Sequence, residues 1–226
     1  MSRGEQNFIN LPRFAAKMYD SMMQGKATRA YLREAAADLA PRINHGRLLD
    51  IGTGPGWLLL ELNRLNPQIE LFGLDVSESM LKQARKNLAG IKVELGQGNI
   101  RRSEYKNEFF DLATCTGSFY LWDQPAECLD EIYRILKPGC SAFLFESYRD
   151  FDEEKFQKAL AGNLKKESLI RRLLSPIFLK KQLRMTYRTE EMEEIINRSA
   201  FAKNHHLERI TLANLPIWVR MELRKS

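Results

Sequence analysis

The stretch LLDIGTGPGWLLLEL, from Leu48 to Leu62, joins two apolar runs through three glycines at alternate positions, Gly52, Gly54 and Gly56. The first run has the length of a short buried strand, and the second is typical of a helix. A glycine-rich turn after a strand lets a ligand lie against backbone amides at the carboxyl edge of a parallel sheet. The stretch therefore predicts an α/β fold with a nucleotide-like ligand at this turn.

Strands and helices alternate on either side of this stretch. Helical spacing of apolar residues predicts N-terminal helices over residues 1–40, ending before Pro41. Further strands are predicted at IELFGLDV, KVELGQG, FFDLATCTG and SAFLFES, the last after a KPG turn, and further helices at SESMLKQARKNLA and over residues 125–136. Parallel neighbours need such crossovers, so we predict a doubly wound, mostly parallel seven-stranded sheet.

The C-terminal part of the chain follows a different pattern. A helix is predicted at EEMEEIINRSAF, followed by the strands HHLERITL and IWVRMELR, which the short link ANLP connects. Only antiparallel strands permit so short a link. We therefore expect an antiparallel C-terminal strand pair, with residues 1–226 forming a single domain.

Basic residues are concentrated in one segment. Residues 155–188 contain ten Lys or Arg residues against one acid, Glu167, although the whole chain has a net charge of only +6. We predict a basic helical lid over residues 150–188, divided into two helices by Ser175 as an N-cap and Pro176 as a first helical residue. Three roles are open for this segment. It can be a packed cap whose basic side chains are solvated, it can hold an anionic or apolar substrate beneath it, or it can contact RNA or a membrane surface.

The remaining composition excludes several classes of protein. No apolar run approaches the ~20 residues of a membrane helix, and the N-terminus lacks an apolar signal core, so we expect a cytoplasmic protein without a transmembrane segment. The three cysteines have no CxxC spacing, and no metal site is predicted.

Acidic residues near the glycines narrow the choice of ligand. A dinucleotide motif, GxGxxG, would place its third small residue at position 57, where this chain has Trp57. Asp50 would repel a pyrophosphate but suits a ligand that carries an ammonium and a sulfonium, as S-adenosyl-L-methionine does. Asp75, at the end of the second strand, can accept hydrogen bonds from both ribose hydroxyls.

These motifs, together with GQGNI, FFDLATCTGSFYLW and EIYRILKPGCSAFLFE in this order, resemble the class I S-adenosylmethionine-dependent methyltransferases. The resemblance is to the small-molecule branch that includes the ubiquinone and menaquinone biosynthesis C-methyltransferases, and AAKMYDSMM resembles a segment that precedes the fold in that branch. It implies a Rossmann-like methyltransferase fold, S-adenosyl-L-methionine as cofactor and S-adenosyl-L-homocysteine as product.

Carried over residue by residue, the resemblance implies a set of cofactor-binding residues. It assigns Asp50 and the three glycines to the methionine part, Asp75 to the ribose, and Val76, Met80, Asn99 and Ile100 to the adenine, with Thr116 and Gly117 beneath the methyl donor. Where the family has an Asp, this chain has Asn99, whose side-chain oxygen still accepts a hydrogen bond.

Substrate contacts are less constrained by the sequence. Where the family often has a histidine-rich loop, this chain has aromatic residues, and the candidate substrate-binding residues are Tyr19, Ser118, Tyr120 and Trp122. No catalytic base is evident. We expect in-line methyl transfer to a small molecule, and the alternatives are an RNA or protein methyltransferase using the basic segment and a non-catalytic S-adenosylmethionine-binding protein.

Overall fold

A seven-stranded sheet forms the centre of the molecule, with strand order β3-β2-β1-β4-β5-β7-β6. The computed structural model describes residues 12–165 and 167–226, so the first part of the predicted N-terminal helices lies outside the described residues. The strands are β1 Gly46–Ile51, β2 Ile69–Asp75, β3 Val93–Gln97, β4 Phe110–Thr116, β5 Leu136–Ser147, β6 His205–Leu212 and β7 Leu215–Arg224.

Helices cover both faces of this sheet. They are α1 Arg13–Met23, α2 Lys26–Leu39, α3 Trp57–Leu65, α4 Glu78–Asn87, α5 Pro125–Ile135, α6 Glu153–Leu164, α7 Leu169–Leu183 and α8 Thr189–Asn197. Adjacent strand residues alternate between two cores: Leu48 packs with α2, α3 and α4, whereas Leu49 packs with α5 and α8. The predicted doubly wound sheet is therefore confirmed.

Local signals in the sequence explain how the central elements begin and end. The Ser77 side chain caps α4 by accepting from the Met80 backbone N–H, and Gly90 follows that helix at φ +85°. Pro125 occupies the first position of α5, where its missing N–H costs nothing. The crossovers and the parallel pairing of β1 with β2 and β4 bring three carboxyl ends to one edge.

The predicted KPG turn differs from the structure. Lys137, Pro138 and Gly139 lie inside β5, which begins at Leu136, and the pairing of β4 with β5 shifts register between Phe110 and Leu112. Gly139 has φ +76° and donates its N–H to the Lys225 carbonyl. The turn-forming residues therefore form an irregularity within a longer strand.

The antiparallel strand pair has the predicted short connection. β7 pairs antiparallel with both β5 and β6, and Leu212 pairs with Leu215 across the two-residue turn. Ala213 and Asn214 have φ +50° and +61°, which a tight hairpin between right-twisted strands requires.

The basic segment is helical, but its predicted division is wrong. Pro176 lies inside the continuous helix α7, and the break falls between Leu164, where α6 ends, and Leu169, where α7 begins. There the Glu167 side chain accepts a hydrogen bond from the Ala27 backbone N–H at 3.0 Å. Among the described residues, no helix is long and apolar enough to cross a membrane.

Candidate functional site

A cavity of about 760 Å³, including its open mouth, lies where β1, β2 and β4 end. Its lining contains most of the sequence-predicted site residues, namely Tyr19, Gly52, Gly54, Asp75, Val76, Met80, Asn99, Ile100, Thr116, Gly117, Ser118, Tyr120 and Trp122. Asp50 lines an adjoining hollow together with Gly52, Gly54 and Thr116. Gly56 lines neither.

The three glycines of the turn lack side chains for three different reasons. All have positive φ, between +52° and +80°. A Cβ on Gly52 would collide with the Ser118 hydroxyl, and one on Gly56 would lie 2.7 Å from Leu88 Cδ1. A Cβ on Gly54 would meet only the Gly52 carbonyl oxygen, at 4.0 Å. Only Gly54 therefore leaves room for a ligand, whereas Gly52 and Gly56 permit close packing of the protein on itself.

Asp75 ends β2 and fixes the position of the glycine turn. Its Oδ2 accepts from the Gly54 N–H and its Oδ1 from the Ser77 N–H, both at 2.8 Å. Burial raises the pKa of this carboxyl to about 6. Each oxygen retains a second acceptor position, so the carboxylate can also receive the two hydroxyls of a ribose.

Asp50 is more deeply buried than Asp75. It is only 2% exposed, and burial followed by the nearby Asp75 carboxyl raises its pKa to about 7. A cation bound in the adjoining hollow would favour the ionised form of both carboxyls. The pair is therefore suited to a positively charged ligand.

Apolar residues of the cavity follow the ends of β2 and β3. Met80 and Ile100 are buried and contribute to the lining, as does the half-buried Val76. The Asn99 side-chain oxygen accepts from the Arg101 N–H at 2.8 Å, which starts a short 3-10 turn. These surroundings can hold a flat apolar ring.

Two hydroxyl side chains lie at the end of β4, and they have different surroundings. The Ser118 hydroxyl donates to the Ile51 carbonyl at 3.2 Å and lies 3.0 Å from Cys115 Sγ, so it joins the ends of β1 and β4. Thr116 Oγ1 is buried and has no hydrogen-bond partner among the described residues. An orphaned hydroxyl in the cavity wall favours a polar ligand atom at this position.

Tyr19, Tyr120 and Trp122 form an aromatic wall of the cavity. An acidic side chain that sequence reasoning missed lies behind this wall. Glu146, near the end of β5, accepts from the Ser147 N–H at 2.8 Å and the Tyr120 N–H at 3.4 Å. Burial raises its pKa to about 7. Burial, then Asp75 and Glu146, raises the pKa of Tyr19 to about 12, and burial likewise raises that of Tyr120. No motif marked Glu146, because it lies inside an apolar strand.

Trp57, the residue that departs from the dinucleotide motif, attaches α1 to the glycine turn. Its Nε1 donates to Asp20 Oδ1 at 2.8 Å, and Asn87 Nδ2 donates to the same oxygen at 3.0 Å. Asn87 Nδ2 also donates to the Pro55 carbonyl at 2.9 Å. Asp20 therefore holds α1, and with it Tyr19, against α3, α4 and the turn. The sequence showed a YD pair but no partner for it.

The basic segment lies apart from the cavity. Within the described parts of residues 155–188, no side chain contributes to the lining. The start of α7 instead contacts α1, where Arg171 Nη2 donates to the Ser21 carbonyl at 2.8 Å. Nor do the described residues contain a cluster of His, Cys, Asp or Glu that could hold a metal ion.

Comparison with known proteins places this arrangement among methyltransferases. A family model described as "Methyltransferase domain" matches residues 48–139. The chain is 31% identical over 105 residues to the uncharacterized methyltransferase YdaC of Bacillus subtilis, which covers 46% of this chain. It is 35% identical over 124 residues to a demethylmenaquinone methyltransferase of Deinococcus radiodurans, which covers 52% of this chain.

The two relatives match only part of their own length, 58% and 49% respectively, so the chain spans about half of each. A solved structure of a candidate S-adenosyl-L-methionine-dependent methyltransferase from Methanococcus maripaludis superposes over 100% of this chain and 97% of its own, with a TM-score of 0.72 and 22% identity. That likeness shows the same fold.

Proposed function

We propose that the chain belongs to the class I S-adenosylmethionine-dependent methyltransferases, with S-adenosyl-L-methionine as its cofactor, and that it methylates a small-molecule acceptor. The observation that carries this proposal is the cavity at the ends of β1, β2 and β4. It combines an acid at a ribose position, Asp75, with an orphaned hydroxyl, Thr116, and an aromatic wall. A cavity of this kind suits a bound cofactor with a small acceptor beside it.

The cavity residues fit the cofactor in three respects. Asp75 retains acceptor positions for two hydroxyls, the space beside Gly54 is open, and the Thr116 hydroxyl lacks a partner among the described residues. We assign the ribose to Asp75 and the methionine part to Asp50, Gly52 and Gly54. The adenine falls to Val76, Met80, Asn99 and Ile100.

Gly56 is assigned a supporting role instead of a contact. It lies outside both linings and permits α3 to pack against Leu88. Substituting it would therefore act on the cofactor indirectly, by displacing the turn that carries Gly54.

The protein's part in the reaction is chiefly positional. When bound, the cofactor supplies a methyl group on a good leaving group, and the acceptor attacks this methyl in line. Orientation of reacting groups contributes up to ~7–11 kcal/mol in favourable cases. Here Tyr19, Tyr120 and Trp122 would shape the acceptor side and exclude water.

The titratable groups of the wall indicate which acceptors suit this site. Tyr19 and Tyr120 have raised pKa values, so they are protonated donors at neutral pH and poor bases. The buried Glu146 carboxylate accepts hydrogen bonds from the backbone N–H groups of Ser147 and Tyr120, and it is not part of the lining. We infer an acceptor that is already nucleophilic at neutral pH, such as an aromatic amine or an electron-rich carbon, because aliphatic amines and thiols are largely protonated at that pH.

The relative from Deinococcus radiodurans is named for a small-molecule substrate, which supports the choice of substrate class. The test is incubation of the purified chain and labelled S-adenosyl-L-methionine with small-molecule, protein and RNA fractions of a cell extract. We expect label in the small-molecule fraction. Label confined to RNA or protein would replace the proposed substrate class, and tight cofactor binding without transfer to any fraction would indicate a binding protein.

A further inference from the structure

Helix α7 exposes a row of aliphatic side chains. Leu169, Leu173 and Ile177 are 71%, 65% and 65% exposed, and Leu174 is 42% exposed. The first three are spaced by four residues, so they lie along one side of the helix. Single exposed aliphatics are common on protein surfaces, but a row of them on one helix marks an interaction site.

Basic residues continue this side of the helix. Lys180 and Arg184 lie three and seven residues beyond Ile177, which places them on the same side, and Lys181 lies next to it. All three are exposed, and no acidic side chain of the described residues forms an ion pair with them. Leu169–Leu183 itself contains no acid. The exposed face of α7, formed by Leu169, Leu173, Leu174, Ile177, Lys180, Lys181 and Arg184, is therefore apolar over its first turns and cationic at its end.

The opposite side of α7 is attached to the protein. Arg171 reaches the Ser21 carbonyl and pairs with Glu167, while Leu179 and the buried Leu183 pack against the core. The helix therefore keeps a defined orientation while its exposed face remains uncovered by the described residues.

We propose that the exposed face of α7 docks on the surface of an anionic lipid membrane. Aliphatic side chains of an in-plane helix insert among acyl chains, and the long bases reach lipid phosphates. The composition argues against two other occupants. A second copy would bring like charges together across a symmetric contact, and RNA binding through phosphate contacts would give no role to the aliphatic row.

The attached side of α7 contacts the helix that contributes to the cavity. Arg171 contacts α1 at Ser21, two residues after Tyr19. Docking would therefore leave the contact between α7 and α1 in place. The proposal rests on the exposed surface alone and does not depend on methyl transfer.

The experiment is flotation of the full chain with vesicles of phosphatidylcholine alone and of phosphatidylcholine with one quarter phosphatidylglycerol. We expect binding to the anionic vesicles only, weakening as salt rises. Replacing Leu173 and Ile177 together with Gln should lower vesicle affinity at least tenfold, because the inserted area is lost. Replacing Lys180, Lys181 and Arg184 with Gln should also lower it at least tenfold, since each base contributes about fivefold.

A matched control is Leu65→Gln, an exposed leucine (53%) at the end of α3, which should bind vesicles like the unmodified chain. S-adenosyl-L-homocysteine affinity and thermal unfolding report whether each variant is folded, so a failure of the lipid proposal is separate from a failure of the proposed enzyme. Equal or absent binding to both vesicle types overturns the proposal. RNA binding that is unchanged by the Leu173 and Ile177 substitutions would also overturn it. So would a dimer of the unmodified chain that these substitutions dissociate, if the unmodified chain does not bind vesicles.

Discussion

The cavity and the exposed face of α7 handle charge in opposite ways. At the cavity and behind its wall, Asp50, Asp75 and Glu146 are all under 9% exposed, and burial raises the pKa of Asp75 to about 6 and those of Asp50 and Glu146 to about 7. On α7, Lys180, Lys181 and Arg184 are exposed. Charges in a low-dielectric site interact strongly with whatever lies beside them, whereas exposed charges are screened by water and salt. Substitutions at the cavity should therefore change the stability and cofactor affinity of the isolated protein. Substitutions on the exposed face of α7 should change only the binding of partners.

The strongest test of this contrast is Asp75→Ala. Loss of charged hydrogen bonds to the ribose should weaken S-adenosyl-L-methionine binding by about 1.5–3 kcal/mol, or roughly 10- to 150-fold. Calorimetric titration measures this directly, with Glu78→Ala as a control that removes a half-buried acid close by on α4. An unchanged dissociation constant in folded Asp75→Ala would remove the ribose assignment.

Asp20→Ala tests whether the hydrogen bonds from Trp57 and Asn87 to Asp20 hold α1 in place at the cavity wall. The change leaves the Trp57 and Asn87 donors without their acceptor and should cost about 2 kcal/mol of unfolding free energy. For a chain of this length, that lowers the melting temperature by about 4–8 °C. Asp20→Asn retains an acceptor oxygen and should recover part of the loss in calorimetry. If both variants melt like the unmodified chain, α1 is held by other contacts.

The pH dependence of stability tests the buried charge at Glu146. Because its folded-state pKa is raised to about 7, the native state holds the proton that the unfolded chain releases near pH 4.5. This group's contribution is complete below the unfolded pKa and is lost as pH rises through the folded one, by about 1.4 kcal/mol per pH unit. Glu146→Gln should therefore flatten the decline in unfolding free energy between pH 5 and 7.5. Parallel profiles for the two proteins would contradict a raised pKa.

The smallest effect is expected from the exposed charges. Replacing Lys180, Lys181 and Arg184 with Gln should change cofactor affinity by less than about 0.5 kcal/mol, because such surface substitutions have little effect on stability and none of these residues lines the cavity. Calorimetric titration at low salt gives the strictest measurement. A tenfold loss of affinity would show that the two regions are electrostatically coupled.

The sequence identified the elements whose signals are local. Gly52–Gly56, the helix SESMLKQARKNLA and the short link of the C-terminal strand pair each depend on nearby residues, and the fold they predicted is the one observed. The Ser175–Pro176 signal failed because the end of α6 depends on Glu167, whose acceptor role involves Ala27, 140 residues away. Asp20 and Glu146 were missed for the same reason, since their partners are distant in the chain or are backbone groups. The ligand contacts of the candidate site residues remain predictions.

The position of β7 between β5 and β6 has a consequence for how the chain assembles during synthesis. β6 leaves the ribosome first, yet its pairing partner in the sheet is β7 alone. A nascent chain that ends before Leu215 therefore has β6 without a neighbour, while the residues that line the cavity, 19–122, have all been made. The hairpin is then expected to close at Ala213 and Asn214 and to join the edge of β5 as one unit. Completion of the sheet would be a late, concerted event, set by the last strand to be translated.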